Sequence, residues 1–207
     1  MVKTTKKLKM KKLIILFFLP ISIISQEIDF FEPNLRDVPL ARKYKNIVKV
    51  YSWFDSLGKN TLIITARDGC GDGYDKCDLR AYHYTGNSNL LWDIKDYEKG
   101  LGIELDQIEL TDIDDDDIAE ISILYTIRGR SISTVKLIMH EKGKKYAIRG
   151  KTGYDYNDEC IYEYDMYGKN SFESAKSSFR GHALGLYSDM YNCCLLYTSP
   201  SPRDLAV

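Results

Sequence analysis

A mainly β fold (α+β overall) is predicted for this 207-residue sequence: an antiparallel meander sheet, or a small barrel or propeller-blade-like unit, with a C-terminal helix packed on it. Three observations predict it. Short runs rich in β-branched and aromatic residues alternate in hydropathy from about residue 60 to residue 150. Turn signals containing Gly and Asn separate these runs at close spacing. An apolar stripe at helical period closes the chain, near residues 171–191. With 44% hydrophobic and 12% aromatic residues, the chain can fill a core.

The elements follow in order. "NTLIITAR" (60–67) and "LRAYHYT" (79–85) flank a Gly-rich loop and predict a hairpin. "NLLWDI" (89–94) follows a Gly86-Asn87 turn. In "GIELDQIEL" (102–110) Ile103 and Leu105 share one face while Ile108 and Leu110 share the other, a change of phase that predicts a bulge near Asp106. "EISILYTI" (120–127) places Ile121, Ile123, Tyr125 and Ile127 on one side, and "STVKLIMHE" places Val135, Leu137 and Met139 on one side. "KKYAIRG" follows a Lys142-Gly143 turn. Residues 150–170 fit either a long loop or a ragged strand. For the helix, Asn170 and Glu173 have capping-box spacing. Phe172, Ala175, Phe179, Ala183, Leu186 and Met190 make its apolar face, and Gly181 and Gly185 each weaken it by about 1 kcal/mol relative to Ala.

The two ends differ from the body. Residues 1–25 join a basic stretch, "MVKTTKKLKMKK", to an apolar run, "LIILFFLPISIIS", the layout of a secretory signal peptide. That run is too short to span a bilayer as a helix, and no stable transmembrane segment is expected after cleavage. The remaining organisation is one β-rich domain over 26–192 and a tail over 193–207. "CLLYTSPSPRD" in that tail resembles translated sequencing-adapter read-through and is set aside from the fold. Six of the 29 basic residues lie in the first 25, where there is no acid; the rest of the chain holds 23 basic against 30 acidic residues. An acidic body argues against a nucleic-acid partner.

"CGDGYDKC" places Cys70 and Cys77 at the two ends of the Gly-rich loop, and in an exported protein this spacing suits a small disulfide-closed loop. Zinc is a poor alternative without a second Cys pair or a nearby His pair.

The most distinctive stretch is "TDIDDDDIAEISILY" (111–125), four consecutive aspartates running into a buried-looking strand. Asp112, Asp114 and Asp116 occupy positions 1, 3 and 5 of a D-x-D-x-D loop, with Ile118 at position 7 and Glu120 at position 9. Three carboxylates, the Ile118 carbonyl, Glu120 and water make an oxygen shell suited to Ca2+. It is not an EF-hand, because Ile123 stands at position 12 and a strand follows. The competing reading is a solvated acidic turn that resists edge aggregation. The loop resembles the calcium loop of integrin-type FG-GAP repeats, in which an Asp-rich turn runs into a β-strand. Position 6, usually Gly for its positive φ, is Asp117 here, and Asp tolerates that conformation better than most residues.

A wider resemblance covers roughly residues 47–151. "SWFDSLGKNTLIIT", "LRAYHY", "LLWDIKD", "LTDIDDDDIAEISILY" and "VKLIMHEKGKKYAIRG" together resemble a family of exported Gram-negative envelope proteins assigned to surface polysaccharide biosynthesis. Members often carry D-x-N-x-D-G-x-A-E-I, so Asp114 and Asp117 depart from the usual Asn and Gly. The resemblance implies a periplasmic, outer-membrane-associated or secreted protein that supports lipopolysaccharide-type glycan assembly, with envelope glycan or envelope proteins as partners. It supplies no catalytic residues.

The sequence lacks a Gly-rich phosphate loop, a G-x-S-x-G elbow and an H-E-x-x-H motif. His83, His140 and His182 are scattered, and the first two sit inside predicted strands. A non-enzymatic envelope factor is the leading expectation. Trp53, Tyr82, Tyr84, Trp92, Tyr154, Tyr156, Tyr162 and Tyr164 are its candidate sugar-stacking residues, although strand aromatics are mostly core. The alternatives are a periplasmic glycan-active enzyme with a carboxylate acid–base pair, and a structural module of a larger complex.

Overall fold

The computed structural model describes residues 28–67, 76–98 and 102–192. Among the described residues, nine strands make two antiparallel sheets, each a simple meander. The first holds β1 (Ile47–Asp55), β2 (Gly58–Arg67), β3 (Asp78–Thr85) and β4 (Asn89–Tyr97). The second holds β5 (Ile103–Thr111), β6 (Glu120–Ile127), β7 (Ile132–Glu141), β8 (Lys144–Tyr154) and β9 (Cys160–Asp165). Both sheets are open: the meander expectation holds and the closed-barrel one does not.

Strand alternation sorts the apolar side chains into three cores. Between the sheets, Trp53, Leu62, Ile64, Leu79, Trp92 and Ile94 meet Ile121, Ile123, Tyr125, Ile127 and Ile138. Behind the second sheet, Leu124, Val135, Leu137, Met139, Tyr146 and Ile148 pack against a helix, α1 (Ser177–Tyr191). Outside the first sheet, Val50, Ile63 and Tyr84 are covered by Val38, Leu40 and Ala41 from two 3₁₀ turns, Leu35–Asp37 and Pro39–Lys43. The result is four layers, with β2 and β6 in the middle and buried on both faces. That double burial explains the consecutive apolar residues Leu62, Ile63 and Ile64 in β2 and Ile123, Leu124 and Tyr125 in β6, and each large aliphatic side chain sealed there contributes about 1.5–3 kcal/mol.

The expected bulge is present. The β5–β6 register shifts between Leu105 and Gln107, which reverses the facing of the strand at Asp106. The Asp106 carboxylate accepts hydrogen bonds from Thr126 Oγ1 at 2.7 Å and from Tyr191 Oη at 2.6 Å, tying β5 to the end of α1. Residues 150–170 take the ragged-strand alternative, as the end of β8 followed by β9.

Two expectations about the C-terminal helix are corrected. The cap is Ser171, whose side chain accepts from the Glu173 N–H and opens a 3₁₀ turn (Phe172–Ser174); Asn170 lies outside it at φ 60°. The regular helix starts only at Ser177, and its buried face runs through Phe179, Ala183, Tyr187 and Tyr191, leaving Leu186 half-buried and Met190 exposed. Two tyrosines hold the inner line because their hydroxyls find acceptors there, Tyr187 on the Glu163 carbonyl at 3.2 Å and Tyr191 on Asp106.

Candidate metal centre

The β5–β6 connection, residues 112–119, folds on its own carboxylates. Asp112 accepts the N–H of Asp116 and of Asp117, both at 3.0 Å, and Asp116 accepts the N–H of Ile118 at 3.1 Å. These are the short-range bonds that Asp side chains offer the backbone in turns. Asp115 and Asp117 adopt φ of 54° and 58°, so the position usually held by Gly is left-handed here with Asp in place. The loop is also fastened to the other sheet. Ser56 donates its N–H to the Asp117 carbonyl at 2.7 Å, and Ala119 donates its N–H to Asp55 Oδ2 at 3.3 Å.

This folding gathers four of the five residues expected as ligands. One carboxylate oxygen from each of Asp112, Asp114, Asp116 and Glu120 lies within 4.8 Å of the others, so the group can hold a metal ion. Ile118, the fifth, sits on the same turn and is buried. Glu120, at the first position of β6, is fully buried; its Oε2 accepts the Ile113 N–H at 2.7 Å. Its Oε1 and the Asp114 Oδ1 are buried without a hydrogen-bond partner among the described residues. Desolvation first, and then the charges of Asp114, Asp112 and Glu141, push the Glu120 carboxyl up to about 7. Burial likewise raises Asp112. A cluster of hard oxygens with unsatisfied lone pairs suits a hard divalent cation.

Three further charged residues join this cluster. Glu141 ends β7 and is buried beside the loop, Lys142 pairs with Asp116, and Lys176 pairs with Asp114 and, at 2.8 Å, with Glu141. These contacts hold Lys176 well above the usual lysine range. Five carboxylates thus face two ammonium groups. The only sequence signal for Lys142 was its turn with Gly143. Lys176 lies 62 residues from Asp114 and had no signal at all.

The other sequence candidates fall elsewhere. His83 and His140 are buried between the sheets, with Trp92 stacked on His140 at 3.9 Å between ring centroids. His83 bonds Asn60 at 2.9 Å, and neither ring nitrogen of His140 has a partner among the described residues. His182 is 3.9 Å from Glu109, away from both. The aromatic candidates do not form one sugar-facing strip: Trp53, Trp92 and Tyr84 are core, whereas Tyr156 is 94% exposed and Tyr164 46% exposed. Cys77 is buried at the foot of β3, and neither it nor Cys160 is a free thiol, but Cys70 lies outside the described residues, and so does the expected Cys70–Cys77 bridge. Among the described residues no helix is long and apolar enough to cross a membrane. Comparison with protein-family models, with curated proteins and with solved structures gives no match.

Proposed function

We propose that this chain is an exported, non-enzymatic module of the cell envelope, steadied by Ca2+ in the Asp loop, that supports surface-polysaccharide assembly of the lipopolysaccharide type through contacts with glycan or envelope proteins. The observation that carries the calcium part is the convergence of Asp112, Asp114, Asp116 and a fully buried Glu120 with unsatisfied oxygens. The envelope part is supported by the signal-peptide layout of residues 1–25 and by the family resemblance of residues 47–151. A Cys70–Cys77 bridge closing the β2–β3 loop belongs to the same reading, since an oxidising compartment permits it. One observation favours the purely structural alternative: Lys142 and Lys176 already neutralise part of the cluster and tie the loop to β7 and α1.

Thermal unfolding in calcium and in chelator separates the two readings. Calcium at about 100 times its Kd is expected to add roughly 2.7 kcal/mol, which at this chain length raises Tm by about 5–10 °C. Glu120→Gln is expected to lose that gain while folding normally in chelator. Equal midpoints for the native chain in calcium and chelator would leave the cluster as a lysine-bridged tie and remove the metal from the proposal. For the glycan part, incubation with purified lipopolysaccharide glycan followed by size analysis is expected to retard the glycan and return it at its original length. Shortened or modified glycan would point instead to the carboxylate-pair enzyme.

A further inference from the structure

A second charged site lies away from the Asp loop, where the first sheet ends. β4 is the last strand of its sheet, so the inner face of β7 and β8 runs on past its edge. The register sets Lys136 opposite Arg149, Ile138 opposite Ala147, and His140 opposite Lys145. Alternate strand residues share a face, so Lys136, Lys145 and Arg149 all belong to the face on which Ile138 and Ala147 pack against the first sheet. Between this face and the β4 edge is a pocket of about 180 Å³, lined by these three cations with Asp96, Tyr125 and Ile138. With about 30 Å³ as the share of one water in the liquid, it has room for a tetrahedral oxyanion and a few waters.

The charges do not balance. Asp96 is taken up by Lys136 and by the Tyr125 hydroxyl, which donates to it at 2.8 Å. Lys95, also on the rim, is paired with Asp93 at 2.7 Å. Asp165 stands opposite Arg149 in the β8–β9 register, but its Oδ1 accepts the Tyr167 N–H at 2.7 Å, and it forms no ion pair with Arg149. Lys145 and Arg149 therefore have no ion-pair partner among the described residues, and the lining carries more positive than negative charge. Lys145 is partly buried; desolvation and then the Arg149 charge hold its ammonium below the usual lysine range. A protein leaves a cation in such surroundings at a cost that a bound anion relieves.

We propose that this pocket binds a phosphate-sized dianion, the terminal group of a phosphate monoester or free phosphate, through Lys145 and the Arg149 guanidinium, with Lys136 and Tyr125 fixing the Asp96 wall behind it. Arg supplies a planar fork that matches two phosphate oxygens, and Lys supplies a point charge. The site owes nothing to the Asp loop and stands or falls separately from the calcium reading.

The test is calorimetric titration of the full chain with inorganic phosphate at fixed ionic strength set by chloride, and in a second arm with glycerol 3-phosphate. One saturable site is expected, weakened at least tenfold by Lys145→Gln and by Arg149→Gln, and unchanged by Lys59→Gln on the exposed start of β2. Tighter binding of the ester marks the natural ligand as a phosphoryl group on a larger molecule; equal binding marks the free ion. Lys145→Gln removes a desolvated charge and is expected to fold at least as stably as the native chain, so it decides the matter even if Arg149→Gln folds poorly. Absence of a saturable site, or binding of equal strength in Lys145→Gln, overturns the assignment.

Discussion

Lowering the pH from 7 to 4 is expected to cost the native state on the order of 3 kcal/mol for each of His83 and His140. Burial holds His83 down to about 4; burial, with the charges of Lys145 and His83 adding to it, holds His140 down to about 3. In the unfolded chain each titrates near 6.5. Below that pH the unfolded chain takes up protons that the folded one refuses, so stability falls as pH falls, and above it these groups contribute no slope. Glu120 acts in the opposite sense. Its folded value of about 7 exceeds the unfolded one, so its contribution increases as pH falls through that interval and partly masks the histidines. The clean measurement is therefore a difference: urea unfolding of the native chain and of His140→Phe, repeated from pH 7 to pH 4. Phe keeps an aromatic ring over Trp92 and has nothing to protonate. The native chain should lose about 3 kcal/mol relative to the variant across that range. A gap that does not change with pH would mean that His140 is not held neutral by its burial.

Gly150→Ala is expected to destabilise the fold by about 3 kcal/mol or more, at the upper end of the cost of overpacking. A Cβ on Gly150 would sit 1.8 Å from the Glu163 carbonyl oxygen and 2.3 Å from the Tyr187 hydroxyl. The tyrosine can be shortened, but the carbonyl belongs to the β9 backbone and moves only with the strand. Adding Tyr187→Phe should therefore not rescue the variant. Chemical denaturation measures both; a loss under about 1 kcal/mol, or full rescue by the second change, would show that β9 yields easily and does not fix the position of α1.

The legible parts of the fold were those in which the alternation along a single strand carries the signal. The change of phase in 102–110 disclosed the Asp106 bulge, and the alternation of 120–127 disclosed β6 with its inner face correct. β1 escaped notice because Tyr51 and Trp53 serve the core between the sheets while Val50 serves the core outside, so its period-2 signal cancels. The helix was found, but a count of aliphatic residues selects Leu186 and Met190, whereas tyrosines with satisfied hydroxyls occupy the inner line. Asp112, Asp114, Asp116 and Glu120 were legible because one turn carries all four. Glu141, Lys142 and Lys176 arrive from the β7–β8 turn and the start of α1, and only tertiary structure brings them there. The Lys136, Lys145 and Arg149 group was invisible for the same reason, since it depends on where β4 stops.

The meander order has a consequence for how the chain finds its shape. Every strand pairs only with its neighbour in sequence, so each sheet can zip from successive hairpins without closing a long loop. The steps that join distant parts of the chain are the face-to-face docking of the two sheets, with Asp55 and Ser56 latching onto residues 117–119, and the docking of α1 through Lys176 and Tyr191. Pairing within each sheet is therefore local, and the entropy of loop closure falls on the contacts between layers rather than on those between strands.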